Sequence, residues 1–142
     1  MKKKLIGLVV CAGFAGMASA QHLKAAAVPA AAKSSFEKQY PHTEAKWEKE
    51  HGNYEVNFKK DGNQMSVVID AKGMILETET DIAINLLPEN VSSYLKTHYK
   101  GAKVKEAAKI VKADGSIMYE GEVNGKDVMF DSNGKFLKEA KD

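Results

Sequence analysis

The sequence predicts an α+β fold in which one helix followed by about four antiparallel strands occurs twice, as tandem repeats. The two units are expected to form one continuous sheet with both helices on one face. Three observations carry this expectation. Two segments place apolar residues at helical intervals, and each is followed by glycines spaced about ten residues apart. Between those glycines, apolar and polar residues alternate, so one face of each strand needs cover and the other can stay wet.

The first twenty residues stand outside that pattern. Met1-Lys2-Lys3-Lys4 is basic, Leu5 to Met17 is an apolar run, and Ala18-Ser19-Ala20 places small residues before Gln21. Residues 1–20 are therefore expected to be a cleaved secretory signal peptide, too short in its apolar part to span a bilayer. Cys11 lies within it, preceded by Val10 rather than by the small residue that a lipidated cysteine would want, so it leaves with the signal. The whole chain of 142 residues carries 21 basic and 19 acidic side chains; without Lys2, Lys3 and Lys4 the balance becomes 18 against 19, a net charge of −1. Every one of the 21 cations is a lysine. Without arginine forks, sequence-specific nucleic-acid binding is disfavoured. With Cys11 gone no disulfide can form, and the fold must rest on a packed core.

Residues 21–33 are alanine-rich and read as a loose N-terminal lead into the first helix, with Pro29 suited to its start. Ala32, Phe36 and Tyr40 make a thin apolar stripe; Val91, Tyr94, Leu95, His98 and Tyr99 make a fuller one. The first unit is expected over residues 28–80 and the second over 87–139. Gly52, Gly62 and Gly73 punctuate strands in the first, as Gly115, Gly125 and Gly134 do in the second. Tyr54, Val56 and Phe58 alternate with Glu55, Asn57 and Lys59, and Met65, Val67 and Ile69 with Gln64, Ser66 and Val68. Ile117, Tyr119 and Val123, then Val128 and Phe130, answer in the second unit. Val67-Val68-Ile69-Asp70-Ala71-Lys72-Gly73 and Val128-Met129-Phe130-Asp131-Ser132-Asn133-Gly134 match position by position, with an aspartate to cap a turn and a glycine three residues on.

These residues carry a resemblance. Leu87-Pro88, Val91, Tyr94-Leu95, Tyr99, the Tyr119-Glu120 strand and the Asp131-to-Gly134 turn resemble the PepSY-like, β-lactamase-inhibitor-like family of small exported proteins of Gram-negative envelopes. Trp47, Tyr54-Glu55-Val56 and Ile69 to Gly73 carry the same elements in the first half. The resemblance covers nearly all of residues 28–139. It implies the helix-plus-sheet repeats of the β-lactamase inhibitor protein, with a sheet face that binds another protein, and it implies inhibition of a peptidase or β-lactamase as one form of that binding. It brings no catalytic residues, and the chain lacks the cysteine pair per repeat of the secreted inhibitor.

The search for chemistry is short. His22, His42, His51 and His98 show no i, i+4 pairing of the kind a helical zinc site needs. His42 and His51 read as solvated turn residues and His98 as a partly buried packing residue. No serine sits in a nucleophile elbow, and Asn124-Gly125 reads as a hairpin turn. Glu48, Glu50, Glu55, Glu77, Glu79, Glu120 and Glu122 read as the polar face of a half-exposed sheet. No catalytic residue, cofactor or metal is expected. Strand parity points Val68, Met118 and Met129 away from the helices, and they are the candidate partner-binding residues, forming a modest exposed apolar patch. The functional expectation is an exported binding module whose open sheet face engages another envelope or extracellular protein. The alternatives are a carrier of a small lipid or peptide and, more remotely, a hydrolytic enzyme.

Overall fold

The computed structural model describes residues 21–141, so the expected signal peptide and Cys11 lie outside the described residues. The chain divides after Thr78 into two compact units. The architecture is α+β, with antiparallel strands and two helices.

In the first unit, strand β1 (Gln21–Leu23) and a 3-10 turn (Ala25–Ala27) precede helix α1 (Ala30–Gln39). The lead is therefore not loose: β1 pairs with β2 (Ala45–Glu50), Leu23 standing opposite Trp47. Backbone pairing with a strand end gives order that the alanine-rich composition does not announce. Pro29, with φ −54° and ψ 140°, sets the entry to α1, which ends at Gln39; Tyr40, the residue before Pro41, is already out of the helical region at φ −133° and ψ 67°. Strands β3 (Asn53–Lys60) and β4 (Asn63–Ile69) follow, and β5 (Ile75–Asp81) runs through the division between units. The two-residue connections are built by His51-Gly52 and Asp61-Gly62, with φ of 47° and 87°, then 51° and 84°, the doubly left-handed turn that suits twisted hairpins.

The core of this unit lies between α1 and one strand face. Ala32 and Phe36 of the helix, with Tyr40 at its end, meet Trp47, Val56, Phe58, Val67 and Ile69. Phe36 packs edge-on against Trp47 and Phe58, with ring centroids 5.6 and 5.1 Å away. Each such aromatic pair contributes about 0.5–1.5 kcal/mol beyond the burial itself.

The second unit holds a 3-10 turn (Ile84–Leu86), helix α2 (Glu89–His98) and strands β6 (Val104–Lys112), β7 (Ile117–Val123), β8 (Lys126–Asp131) and β9 (Phe136–Lys141). β7 and β8 turn through Asn124-Gly125, φ 55° and 70°. Val91 and Leu95 seat on Ala107, Val123, Val128 and Phe130. Gly121 makes room for that seat, because a Cβ there would stand 2.8 Å from Leu95 Cδ1. Tyr94 lies edge-on to Phe130 and stacks on Phe136 at 5.2 Å. His98 is exposed rather than a packing residue: it stacks on the outer side of Tyr94 at 3.8 Å, with Nδ1 3.0 Å from the Tyr94 carbonyl.

In each unit an aspartate-glycine turn meets the start of the helix. Asp70 Oδ1 accepts from the N–H groups of Lys72 and Met74, and Asp131 Oδ1 from those of Asn133 and Lys135. Ser35 Oγ then donates to the Gly73 carbonyl at 2.6 Å, and Asn90 Nδ2 to the Asn133 carbonyl at 3.2 Å. A Cβ on Gly134 would come within 2.7 Å of Asn90 Cβ, whereas one on Gly115 would meet nothing within 4 Å; both have left-handed φ, 77° and 81°. Gly115→Ala should therefore cost about 1 kcal/mol, the backbone term alone, and Gly134→Ala about 3 kcal/mol because the helix must also move. Denaturant unfolding of the two variants checks this; equal costs would show that the helix does not press on the turn.

Candidate functional site: the strand face of each unit away from its helix

Strand register defines a second face in each unit. In the first, Trp47 stands opposite Val56 and Val56 opposite Val67, all on the helix side. Their neighbours Glu48, Glu55 and Val68 form the next row, one directly opposite the other, on the far side. In the second, three far-side rows run across β6, β7 and β8: Ile110, Met118, Asp131; Ala108, Glu120, Met129; and Glu106, Glu122, Asp127. Val68, Met118 and Met129 thus point away from the helices, as parity requires.

They do not form an exposed patch. Val68 is 3% exposed and Met129 1%, while Met118 is half-buried. The reason is visible in the composition of the two strands. Val67-Val68-Ile69 and Val128-Met129-Phe130 are unbroken apolar runs, the pattern of strands buried on both faces, not of strands with one wet side. Met129 is flanked directly by Glu120 and Lys138, whose long apolar stems suit them to cover a neighbour. Ala108 and Ile110, at 4% and 1%, are also buried on this far side. Sequence reading by period alone missed them; the runs themselves were the available signal.

The far side is also acidic. In the second unit Glu106, Glu122 and Asp127 oppose one another along a single row, an arrangement that like charges disfavour. Lys105 Nζ lies 3.6 Å from Glu122 Oε1 and relieves part of it. In the first unit the acids are more deeply placed: Glu50 is 8% exposed and Glu55 1%, with Ser66 beside them at 2%. Burial, then the adjoining carboxyl of Glu50 and the charges of Glu50 and Glu48, push Glu55 up to about 8 from an ordinary 4.5, against a smaller opposing pull from the Ser66 hydroxyl. The acids expected on an ordinary polar face are therefore buried at Glu50, Glu55 and Glu77 in the first unit and at Glu79 in the second.

A second polar cluster lies at the end of α2. Tyr99 Oη donates to Glu139 Oε2 at 2.5 Å and Lys126 Nζ to Glu139 Oε1 at 2.6 Å. Burial and this hydrogen bond push the Tyr99 hydroxyl up to about 12, and Lys126 holds the Glu139 carboxyl below its usual range. The cluster ties β9 to the helix and brings no nucleophile to a base. His42, 95% exposed, and His51, 48% exposed, occupy turns. Among the described residues no group of three or more histidine, cysteine, aspartate or glutamate side chains is placed to hold a metal ion.

The two far-side methionines should respond differently to the same change. Met129→Asp buries an unpaired charge and is expected to cost about 4 kcal/mol or more, whereas Met118→Asp should stay within about 1 kcal/mol. Chemical denaturation measures both, and an unperturbed Met129→Asp would refute the burial of that row.

Comparison with known proteins places this geometry. No curated protein matches the chain. Among solved structures, a protein from Bacteroides eggerthii described as "putative periplasmic" is 15% identical, with 80% of this chain and 88% of that one covered and a TM-score of 0.73. A protein from Bacteroides fragilis described as BLIP-like is 27% identical, with 80% and 86% covered and a TM-score of 0.60. A family model described as "Putative beta-lactamase-inhibitor-like, PepSY-like" matches twice, over residues 17–77 and 70–138. The chain, with helix-covered strands in each unit, belongs to the PepSY-like family.

Proposed function

We propose that this chain is an exported, non-enzymatic binding module, built as two tandem copies of one helix-and-strands unit, that engages another envelope protein through the sheet face away from its helices. Export is supported by the basic, apolar and small-residue order of residues 1–20 and by the relative described as periplasmic. Among the described residues no helix is long and apolar enough to cross a membrane. A protein-binding role is supported by the family match and the BLIP-like relative, and inhibition of a β-lactamase or peptidase is the form of binding they suggest.

The observation that carries the reading is the contrast between neighbouring strands of the second unit. On the far side of β7, Met118, Glu120 and Glu122 remain partly exposed, the Glu122 side chain at 16%, while Met129 and Asp127 of β8 are buried beside them. A partial apolar contact flanked by carboxylates suits a partner segment that offers lysine or arginine beside an apolar side chain. Met118, Glu120 and Glu122 replace Val68 and Met129 as the contact residues.

Capture from native envelope extract, with the bound protein identified by mass, tests this reading against two variants. Glu122→Lys and Met118→Asp should each weaken capture of the same partner by about tenfold, equivalent to about 1.4 kcal/mol, while both variants stay folded. Undiminished capture by both would remove β7 from the interface. Titration of the captured enzyme with this protein separates inhibition from binding alone.

A further inference from the structure

Glu55 is 1% exposed, and its two carboxylate oxygens make no hydrogen bond, the Ser66 hydroxyl alongside offering only a weak pull. An ionised carboxylate so placed is strongly disfavoured unless a cation or a proton joins it. The groups that face it are mostly acids. Glu48 stands directly across on β2, Glu50 is two residues along the same face, and Ser66 and Val68 lie on β4. The charged groups of that face also include Lys46, exposed at the far end of β2, and Lys59, exposed near the end of β3. Lys49, the remaining lysine of β2, lies on the helix side with its ammonium 5.8 Å from the Tyr54 ring. Glu77 of β5 is another buried acid of this unit and is held by interactions of its own.

Two ionised carboxylates side by side have no proton to donate and gain nothing from contact. One shared proton converts the same contact into an O–H···O hydrogen bond and removes one of the two charges. We propose that Glu55 stays protonated beside Glu50, its O–H donating to the Glu50 carboxylate, and that this makes the first unit a pH-responsive element, closely packed while the proton is held and loosened when it leaves. His51 connects the pair to solvent: its Nδ1 lies 3.4 Å from Glu50 Oε1, and its side chain is 48% exposed. The left-handed turn at His51-Gly52 holds the imidazole beside the strand end.

The direction of the response follows from linkage. The folded chain keeps a proton on Glu55 up to about pH 8, whereas the unfolded chain releases it near 4.5. Folding stability is then fully supported below about pH 4.5, falls as pH rises towards 8, and levels off above it. Within that window each pH unit lowers the folding equilibrium constant by up to tenfold.

The test combines carboxyl-carbon NMR titration of the wild-type protein with denaturant unfolding from pH 5 to 9. The Glu55 carboxyl should titrate near pH 8. Glu55→Gln should flatten the stability profile between pH 6 and 8 and unfold later than wild type at pH 8, and Glu50→Gln should bring the Glu55 titration down. A wild-type Glu55 that titrates near 4.5, or an unchanged slope in Glu55→Gln, overturns the proposal. Added calcium or magnesium that abolishes the slope would assign the pair to a metal ion instead, and overturns it equally. The NMR measurement needs no variant, so the proposal stays testable if Glu55→Gln does not fold.

Discussion

Each helix in this protein can lie on its strands only because a glycine turn makes way for it. Gly73 sits against the Ala31 carbonyl and Ser35, and Gly134 against Asn90 and Val91, at distances that leave no room for a Cβ. The aspartate three residues earlier shapes the turn, and a side chain from the helix bonds back to its backbone. That contact sets where the first helical turn rests. Ala32 and Phe36, or Val91 and Leu95, then fall onto the strand residues of matching parity. The covered face, and hence the face left for anything else, follows from it.

Within each unit the two strand faces differ in kind. The helix side is aromatic and aliphatic, and its stability is the ordinary consequence of apolar burial. The far side mixes buried valine, isoleucine and methionine with buried acids. Carboxylates in such places do not stabilise a fold unless they are paired or protonated. Their presence at Glu50 and Glu55 is a departure from what packing alone would select, and departures of that sort are where function is sought. In the second unit the acids lie along a shared row near the partly exposed part of β7, where charge can recruit a partner instead of burdening a core.

Much of this was legible in the chain before any coordinates. Helical spacing marked α1 and α2, glycine pairs marked the hairpins, and the recurring Asp-x-x-Gly marked the closing turns, because each is a local consequence of backbone sterics and side-chain period. Membership of the PepSY-like family was carried by those same core and turn residues. The candidate site was less legible. Met118, Val68 and Met129 share the orientation that strand parity assigns them, but Met118 is half-buried while Val68 and Met129 are buried. The strand β1 was hidden by the alanines that follow it, since three residues paired to a strand edge leave no periodic trace.

By itself, the sequence determined the two helices, the glycine turns that follow each of them and the strand parity on either side of those turns. These depend on residues a few positions apart. Only the tertiary structure decided how deeply the second face lies, because burial there depends on side chains from strands distant in the chain. Val68 and Glu55 are thirteen residues apart yet stand directly opposite each other. The same long-range placement turned Glu55 from a strand-surface carboxylate into a buried acid beside Glu50, and no local pattern could have distinguished the two.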